Sequence, residues 1–191
     1  GVSSTGTLTI TNSSIIDNTT TGDQSSSNYG AGIGIPGGTT NITNCTITGN
    51  VASGSGTSSY RVGGMYIGGA STNVYLKNTI IAGNSTNYAS STKNNIYVAG
   101  GTLNNNGYNI IGKSNGYTST TGDWSDPEDD GTFELNTVGT TGSLSLDTAA
   151  GINDNPQKTK TYALTASSSI AINNANDTAN NGISVPSTDQ R

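Results

Sequence analysis

Leu8-Thr9-Ile10-Thr11-Asn12-Ser13-Ser14-Ile15-Ile16-Asp17-Asn18 returns twice without gaps, as Thr40-Asn41-Ile42-Thr43-Asn44-Cys45-Thr46-Ile47-Thr48-Gly49-Asn50 and as Val74-Tyr75-Leu76-Lys77-Asn78-Thr79-Ile80-Ile81-Ala82-Gly83-Asn84. The first Asn of each unit recurs at 12, 44 and 78, spacings of 32 and 34 residues, and self-similarity at such a period is the signature of a repeat architecture. Within each unit the apolar residues alternate with polar ones. Leu8 and Ile10 therefore face one side of a strand while Thr7, Thr9 and Thr11 face the other. Beyond the Asn, the inward set continues through Ser13 and Ile15, matched by Cys45 and Ile47 and then by Thr79 and Ile81.

Between the units lie short apolar pieces, Gly32-Ile33-Gly34-Ile35, Gly64-Met65-Tyr66-Ile67 and Asn95-Ile96-Tyr97-Val98. Each repeat thus reads as three short strands separated by bends. The expected fold is all-β: a right-handed, single-stranded parallel β-helix of about four coils over residues 1–112. Residues 113–191 form an irregular C-terminal tail that packs on the solenoid or caps it. Successive coils lie about 4.8 Å apart in such a stack. Ile10, Ile42 and Leu76 then make one interior column, and Ile15, Ile47 and Ile81 another.

Composition supports this reading against its competitors. Gly (27), Thr (31), Ser (25) and Asn (25) fill more than half of the 191 residues, and all four are poor formers of helix interiors. Leu, Ile, Val and Phe are only about one residue in six, yet charged residues are 10% and the net charge is −5, short of the charge that accompanies disorder. A solenoid needs only a thin apolar thread, because each coil buries its inner face against its neighbours.

The two Asn rows have a structural reading. Asn12, Asn44 and Asn78 stack at one bend as an amide ladder, each side chain donating to the next and accepting from the one before. Asn18, Asn50 and Asn84 form a second row, each preceded by a residue suited to positive φ: Asp17, Gly49 or Gly83. Cys45 falls among the small inward residues Ser13 and Thr79, as a buried and inert filler.

Each repeat is longer than the three-strand minimum. The surplus falls at residues 19–29, 51–62 and 85–94, with one Tyr in each: Tyr29, Tyr60 and Tyr88. Loops from one corner of every coil make one face, on which these surface loop aromatics either form a sugar-stacking strip or pack on their own coils. After Ile111 the period is lost. Short strands are expected at Phe133-Glu134-Leu135 and Ser143-Leu144-Ser145-Leu146, and a short helix near residues 163–174.

Several chemistries are disfavoured. With no His there is no Ser-His or Cys-His nucleophile and no His-ligated zinc, and one Cys permits no intrachain disulfide. Seven Lys plus Arg offer no patch for nucleic acid, and no apolar run is long enough to insert in a membrane. The solenoid part offers only Asp17 and Asp23 as carboxylates, so the two-carboxylate arrangement of a polysaccharide hydrolase is missing. Lys77 and Arg61, candidate bases for a lyase, have no acidic company. The expectation is a protein that is not an enzyme and needs no cofactor. The one acidic concentration, Asp126, Glu128, Asp130 and Glu134 around Gly131, approximates the opening of a calcium loop, but Thr137 stands at the twelfth place. A solvated acidic turn is the other reading. Thr7, Thr9 and Thr11 above Thr39, Asn41 and Thr43 sketch an ice-binding face, which Asn73, Tyr75 and Lys77 interrupt. The sequons at Asn18, Asn41, Asn84 and Asn176 fit glycosylation of exposed positions, whereas Asn12 and Asn44 match the pattern but belong to the ladder.

The stretches 7–15 and 76–84, Gly107-Tyr108-Asn109-Ile110-Ile111-Gly112, Ala171-Ile172-Asn173 and Thr188-Asp189-Gln190-Arg191 together resemble the choice-of-anchor Q proteins. The resemblance spans nearly the whole chain and rests on the order of the motifs. It implies a secreted β-helix of the pectin-lyase-like superfold with a structural or adhesive task at the cell surface and no catalytic set. Within residues 158–172, Tyr162 stands where that family usually has His, and Ser167 to Ser169 where Gly-Ser-Pro is usual. Localisation is accordingly expected to be extracellular. The partners are other copies stacked head to tail into a filament or sheath, adjacent coils of a longer chain, or a surface polysaccharide. A carbohydrate-binding adhesin or passenger fragment is the alternative.

Overall fold

A computed structural model describes residues 1–21, 30–53, 61–86, 94–106, 109–111 and 181–184, together with the strands at 132–135 and 140–143. No helix occurs among the described residues. The first coil comprises β1 (Val2–Ser3), β2 (Thr7–Thr11), β3 (Ser14–Ile16) and β4 (Thr19–Thr20); the second β5 (Ile33–Ile35), β6 (Thr39–Thr43), β7 (Thr46–Thr48) and β8 (Val51–Ala52). The third repeats them as β9 (Met65–Ile67), β10 (Asn73–Lys77), β11 (Ile80–Ile81) and β12 (Ser85–Thr86). The fourth supplies β13 (Ile96–Val98), β14 (Thr102–Asn105) and β15 (Ile110–Ile111).

Strands of like position pair in parallel, so the chain is a parallel β-helix of four sheets: β1-β5-β9-β13, β2-β6-β10-β14, β3-β7-β11-β15 and β4-β8-β12. The register matches the alternation of the sequence. Ile10 lies opposite Ile42 and Ile42 opposite Leu76; Ile15 lies opposite Ile47 and Ile47 opposite Ile81. A third column runs Val2, Ile33, Met65, Ile96. These residues are one continuous core, and in the middle coils Ile42, Ile47, Met65 and Leu76 are completely buried.

The three strands per repeat expected from the pattern become four. Residues directly after Asn18, Asn50 and Asn84 do not leave as loops but first pair for two residues, Thr19 with Val51 and Val51 with Ser85. Two residues are too few for alternation to show in a sequence. What fixes them is the backbone: Val51 N–H donates to the Asn18 carbonyl at 2.8 Å and Ser85 N–H to that of Asn50 at 2.9 Å. The surplus in each repeat therefore begins two residues later than the pattern suggests.

Beyond the coils, β16 (Thr132–Leu135) adds to β15 antiparallel, Ile110 opposite Leu135, and β17 (Thr140–Ser143) adds antiparallel to β16. The β17 strand starts three residues before the alternation in the sequence, whose positions 144–146 lie outside the described residues, as does the helix expected near 163–174.

Candidate functional site

Every bend between the second and third strands of coils 1 to 3 is an Asn in the left-handed region: Asn12 at φ 47°, Asn44 at 54° and Asn78 at 50°. Asn tolerates that backbone better than any residue except Gly. The three stack in register, Asn12 N–H donating to the Thr43 carbonyl and Asn44 N–H to that of Lys77. Asn78 Nδ2 donates to Asn44 Oδ1 at 3.0 Å. All three are half-buried.

The more deeply buried row is the other one. Asn18 donates from both its backbone N and its Nδ2 to Asn50 Oδ1, at 3.0 and 2.8 Å. Asn50 repeats the pair of bonds to Asn84 Oδ1 at 3.1 and 2.8 Å, and Asn84 repeats it to Asn95 Oδ1 at 3.1 and 3.0 Å. Each inner amide also reaches back one coil: Asn50 Nδ2 donates to the Ile15 carbonyl and Asn84 Nδ2 to that of Ile47, both at 2.9 Å. Asn50 is 0% exposed. The residue before each rung has positive φ, Asp17 at 53°, Gly49 at 67° and Gly83 at 66°.

Asn95 is the rung that repetition alone does not reveal. It comes 11 residues after Asn84, at the start of the next coil's first strand, where coils 2 and 3 carry Gly32 and Gly64. Those glycines are required by the ladder's proximity: a Cβ at Gly32 would sit 3.0 Å from Asn50 Nδ2, and one at Gly64 would sit 3.0 Å from Asn84 Nδ2 and 2.2 Å from the Asn95 carbonyl oxygen. Replacement of Gly by Asn in that row was the available signal.

The ladder has a direction. Donors point up the stack toward Asn95 and acceptors point down, so at the first coil Asn18 presents Oδ1 outward, where the Gly1 amino nitrogen donates to it at 2.9 Å. Strands β1, β2, β3 and β4 are the end strands of all four sheets. Val2, Leu8, Ile10 and Ser13 point inward yet are only half-buried, whereas their counterparts Ile33, Thr40, Ile42 and Cys45 are at most 2% exposed.

Cys45 occupies its expected slot. It is buried between coils, its Sγ 3.2 Å from the Thr43 carbonyl it donates to, and burial pushes its thiol up to about 11 despite backbone hydrogen bonds from Ser13 and Thr43 that oppose the shift. A thiol held protonated is a poor nucleophile.

Other expected positions fall differently. Asn18 and Asn84 are tied into the ladder, and Asn41 is 4% exposed with its Oδ1 accepting from Asn181 Nδ2 at 3.1 Å, so these three sequons are closed to a glycosyltransferase. Asn176 lies outside the described residues. The outer Thr face is covered at the second coil, where Thr43 is fully buried. Tyr29, Tyr60 and Tyr88 lie outside the described residues, as do Asp126, Glu128 and Asp130 of the acidic turn; Glu134 is placed in β16 by its backbone. Among the described residues no three His, Cys, Asp or Glu side chains are grouped to hold a metal ion. Among the described residues, Tyr66 and Tyr97, outward residues of adjacent coils, form an aromatic pair with rings 6.0 Å apart and tilted by 50°. No helix among the described residues is long and apolar enough to cross a membrane.

Compared with models of protein families, with curated proteins and with solved structures, the chain matches none.

Proposed function

We propose that the protein is an extracellular structural β-helix of the cell surface, akin to the choice-of-anchor Q proteins, which works by coil stacking and not by chemistry. The observation that carries the reading is the contrast between coils: the same inward positions are sealed in the second coil and half-exposed in the first. A half-buried apolar face whose strands β1, β2, β3 and β4 each pair with one neighbouring strand among the described residues is a template for further β-structure. Its natural complement is another coil, because the strands and the apolar columns continue the spacing of the stack.

The residues support a scaffold in a second way. Amides that in a catalytic protein would line a cleft are here spent on joining coil to coil, and the lone thiol is kept protonated. Sedimentation velocity over a range of concentrations tests the proposal. Concentration-dependent association abolished by Ile10→Asp supports it. Association unaffected by that change, or binding of a polysaccharide by a chain that stays monomeric, refutes it.

A further inference from the structure

We propose that the Asn181–Gly182 peptide is a site of spontaneous deamidation, held in check by a hydrogen bond to the outer face of the solenoid, and that its conversion frees residues 181–184 from that face.

The sequence sets Asn directly before Gly three times, at 106–107, 115–116 and 181–182. Asn-Gly is the pair demanded by a tight turn with two successive left-handed residues. At 181–182 that turn is made, with φ 50° at Asn181 and 75° at Gly182. The glycine that permits it also lacks the side chain that would shield its main-chain nitrogen from the neighbouring amide. Both residues are exposed, and apart from chain neighbours no atom lies within 4 Å of where a Gly182 Cβ would sit. Water reaches the reacting groups, and it is the only other reactant. The Gly182 nitrogen gives its proton to water and attacks Asn181 Cγ. The new N–Cγ bond closes a five-membered imide while the Cγ–Nδ2 bond breaks, and Nδ2 leaves as ammonia with a proton returned by water. A second water opens the imide to aspartate or isoaspartate.

The fold opposes this step at one point. Asn181 Nδ2, the departing nitrogen, donates to Asn41 Oδ1 at 3.1 Å. Asn41 is 4% exposed and lies in β6, which pairs with β2 on one side and β10 on the other. An amide anchored to a fixed strand must let go before it swings onto the Gly182 nitrogen, so the contact withholds the near-attack geometry that the exposed turn otherwise allows. Asn106 is restrained differently: half-buried, it donates its N–H to the Leu76 carbonyl at 2.9 Å, and its own carbonyl accepts from Lys77 Nζ at 3.3 Å. Residues 115 and 116 lie outside the described residues. Conversion at 181 puts a carboxylate oxygen where the donor stood, against the Oδ1 of a buried amide. Isoaspartate also lengthens the main chain by one carbon at the turn. Either product breaks the tie between positions 140 residues apart.

The test incubates the full chain at neutral pH and follows position 181 by peptide mass mapping, with isoaspartyl methyltransferase marking the isoaspartate product. Conversion is expected to be at least about tenfold slower in the folded chain than in urea. Asn41→Val, which suits a strand but offers no acceptor, is expected to speed conversion at 181 in the folded chain at least about threefold while leaving position 106 unchanged. Asn41→Asp keeps an acceptor and is expected to keep the slow rate; circular dichroism checks that both variants fold. In Asn181→Asp, which carries the aspartate product, hydrogen exchange at Ile183 and Ser184 is expected to quicken at least about tenfold. Equal rates at 181 in the parent and in folded Asn41→Val, or equal rates in the folded parent and in urea, overturn the restraint. Unchanged exchange in Asn181→Asp overturns the release.

Discussion

Truncating the central rung of the amide ladder is the most exacting perturbation this structure offers. Asn50→Ala removes an Oδ1 that accepts from Asn18 N and Nδ2, at 3.0 and 2.8 Å, and an Nδ2 that donates to the Ile15 carbonyl at 2.9 Å and to Asn84 Oδ1 at 2.8 Å. Asn84 Oδ1 keeps the Asn50 backbone N–H, Asn18 Nδ2 keeps the Ile16 carbonyl and the Thr48 carbonyl keeps the Asp17 N–H, so the loss falls hardest on the Asn18 backbone N–H and the Ile15 carbonyl. Each buried polar group left unmade costs about 1 to 3 kcal/mol. Asn18 is half-buried, so water recovers part of that loss. The expected destabilisation is about 3 to 5 kcal/mol, well above the ~1 kcal/mol of an average substitution. Asn18→Ala, at a half-buried rung of the same row, exposes fewer groups and is expected to cost about half as much. Urea unfolding followed by far-UV circular dichroism measures both as shifts of the midpoint. The reasoning is refuted if Asn50→Ala costs under 1 kcal/mol or no more than Asn18→Ala.

Four further outcomes follow from individual sites. Thr40 is fully buried with its hydroxyl lacking a partner, between Leu8 and Val74, so Thr40→Val is expected to raise stability by about 1 to 2 kcal/mol in the same urea titration. The raised thiol of Cys45 means that the unfolded chain loses its proton first; stability is fully present below pH 9 and falls as pH rises toward 11, by up to about 3 kcal/mol. Cys45→Ser should flatten that part of the pH profile relative to the parent. Gly64→Ala drives a Cβ to within 2.2 Å of the Asn95 carbonyl oxygen, and a loss of at least about 2 kcal/mol with weakened amide protection around Asn84 and Asn95 is expected by hydrogen exchange. Expressed in a glycosylating host, the folded chain should carry no glycan at Asn41 or Asn84, checked by peptide mass mapping.

Much of the fold is legible in the sequence because a solenoid repeats its instructions. Ile10, Ile42 and Leu76 share a phase, and that phase alone sets which residues stack, since a slip of one residue would turn every inward side chain outward. The bends were legible for the same reason: Asn12, Asn44 and Asn78, and Asp17, Gly49 and Gly83, are residue types that accept the left-handed backbone found at those positions. Cys45 could be placed by its row-mates Ser13 and Thr79.

What stayed hidden has no period. Two-residue strands such as Val51–Ala52 leave no alternation and exist only because the coil below supplies carbonyls. Asn95 enters the ladder from a different strand of the next coil, a proximity made by winding and not by spacing. Asn41, which reads as a surface sequon, is buried and accepts a hydrogen bond from Asn181, 140 residues away. The sequence by itself determined the coil, its register and its bends, because those depend on each residue's own backbone preference and polarity. Only the tertiary structure decided that the ladder runs through Asn18, Asn50, Asn84 and Asn95 in one direction, and that a fourth, two-residue strand closes each of the first three coils. Those properties belong to how separate turns of the chain meet, and no single turn contains them.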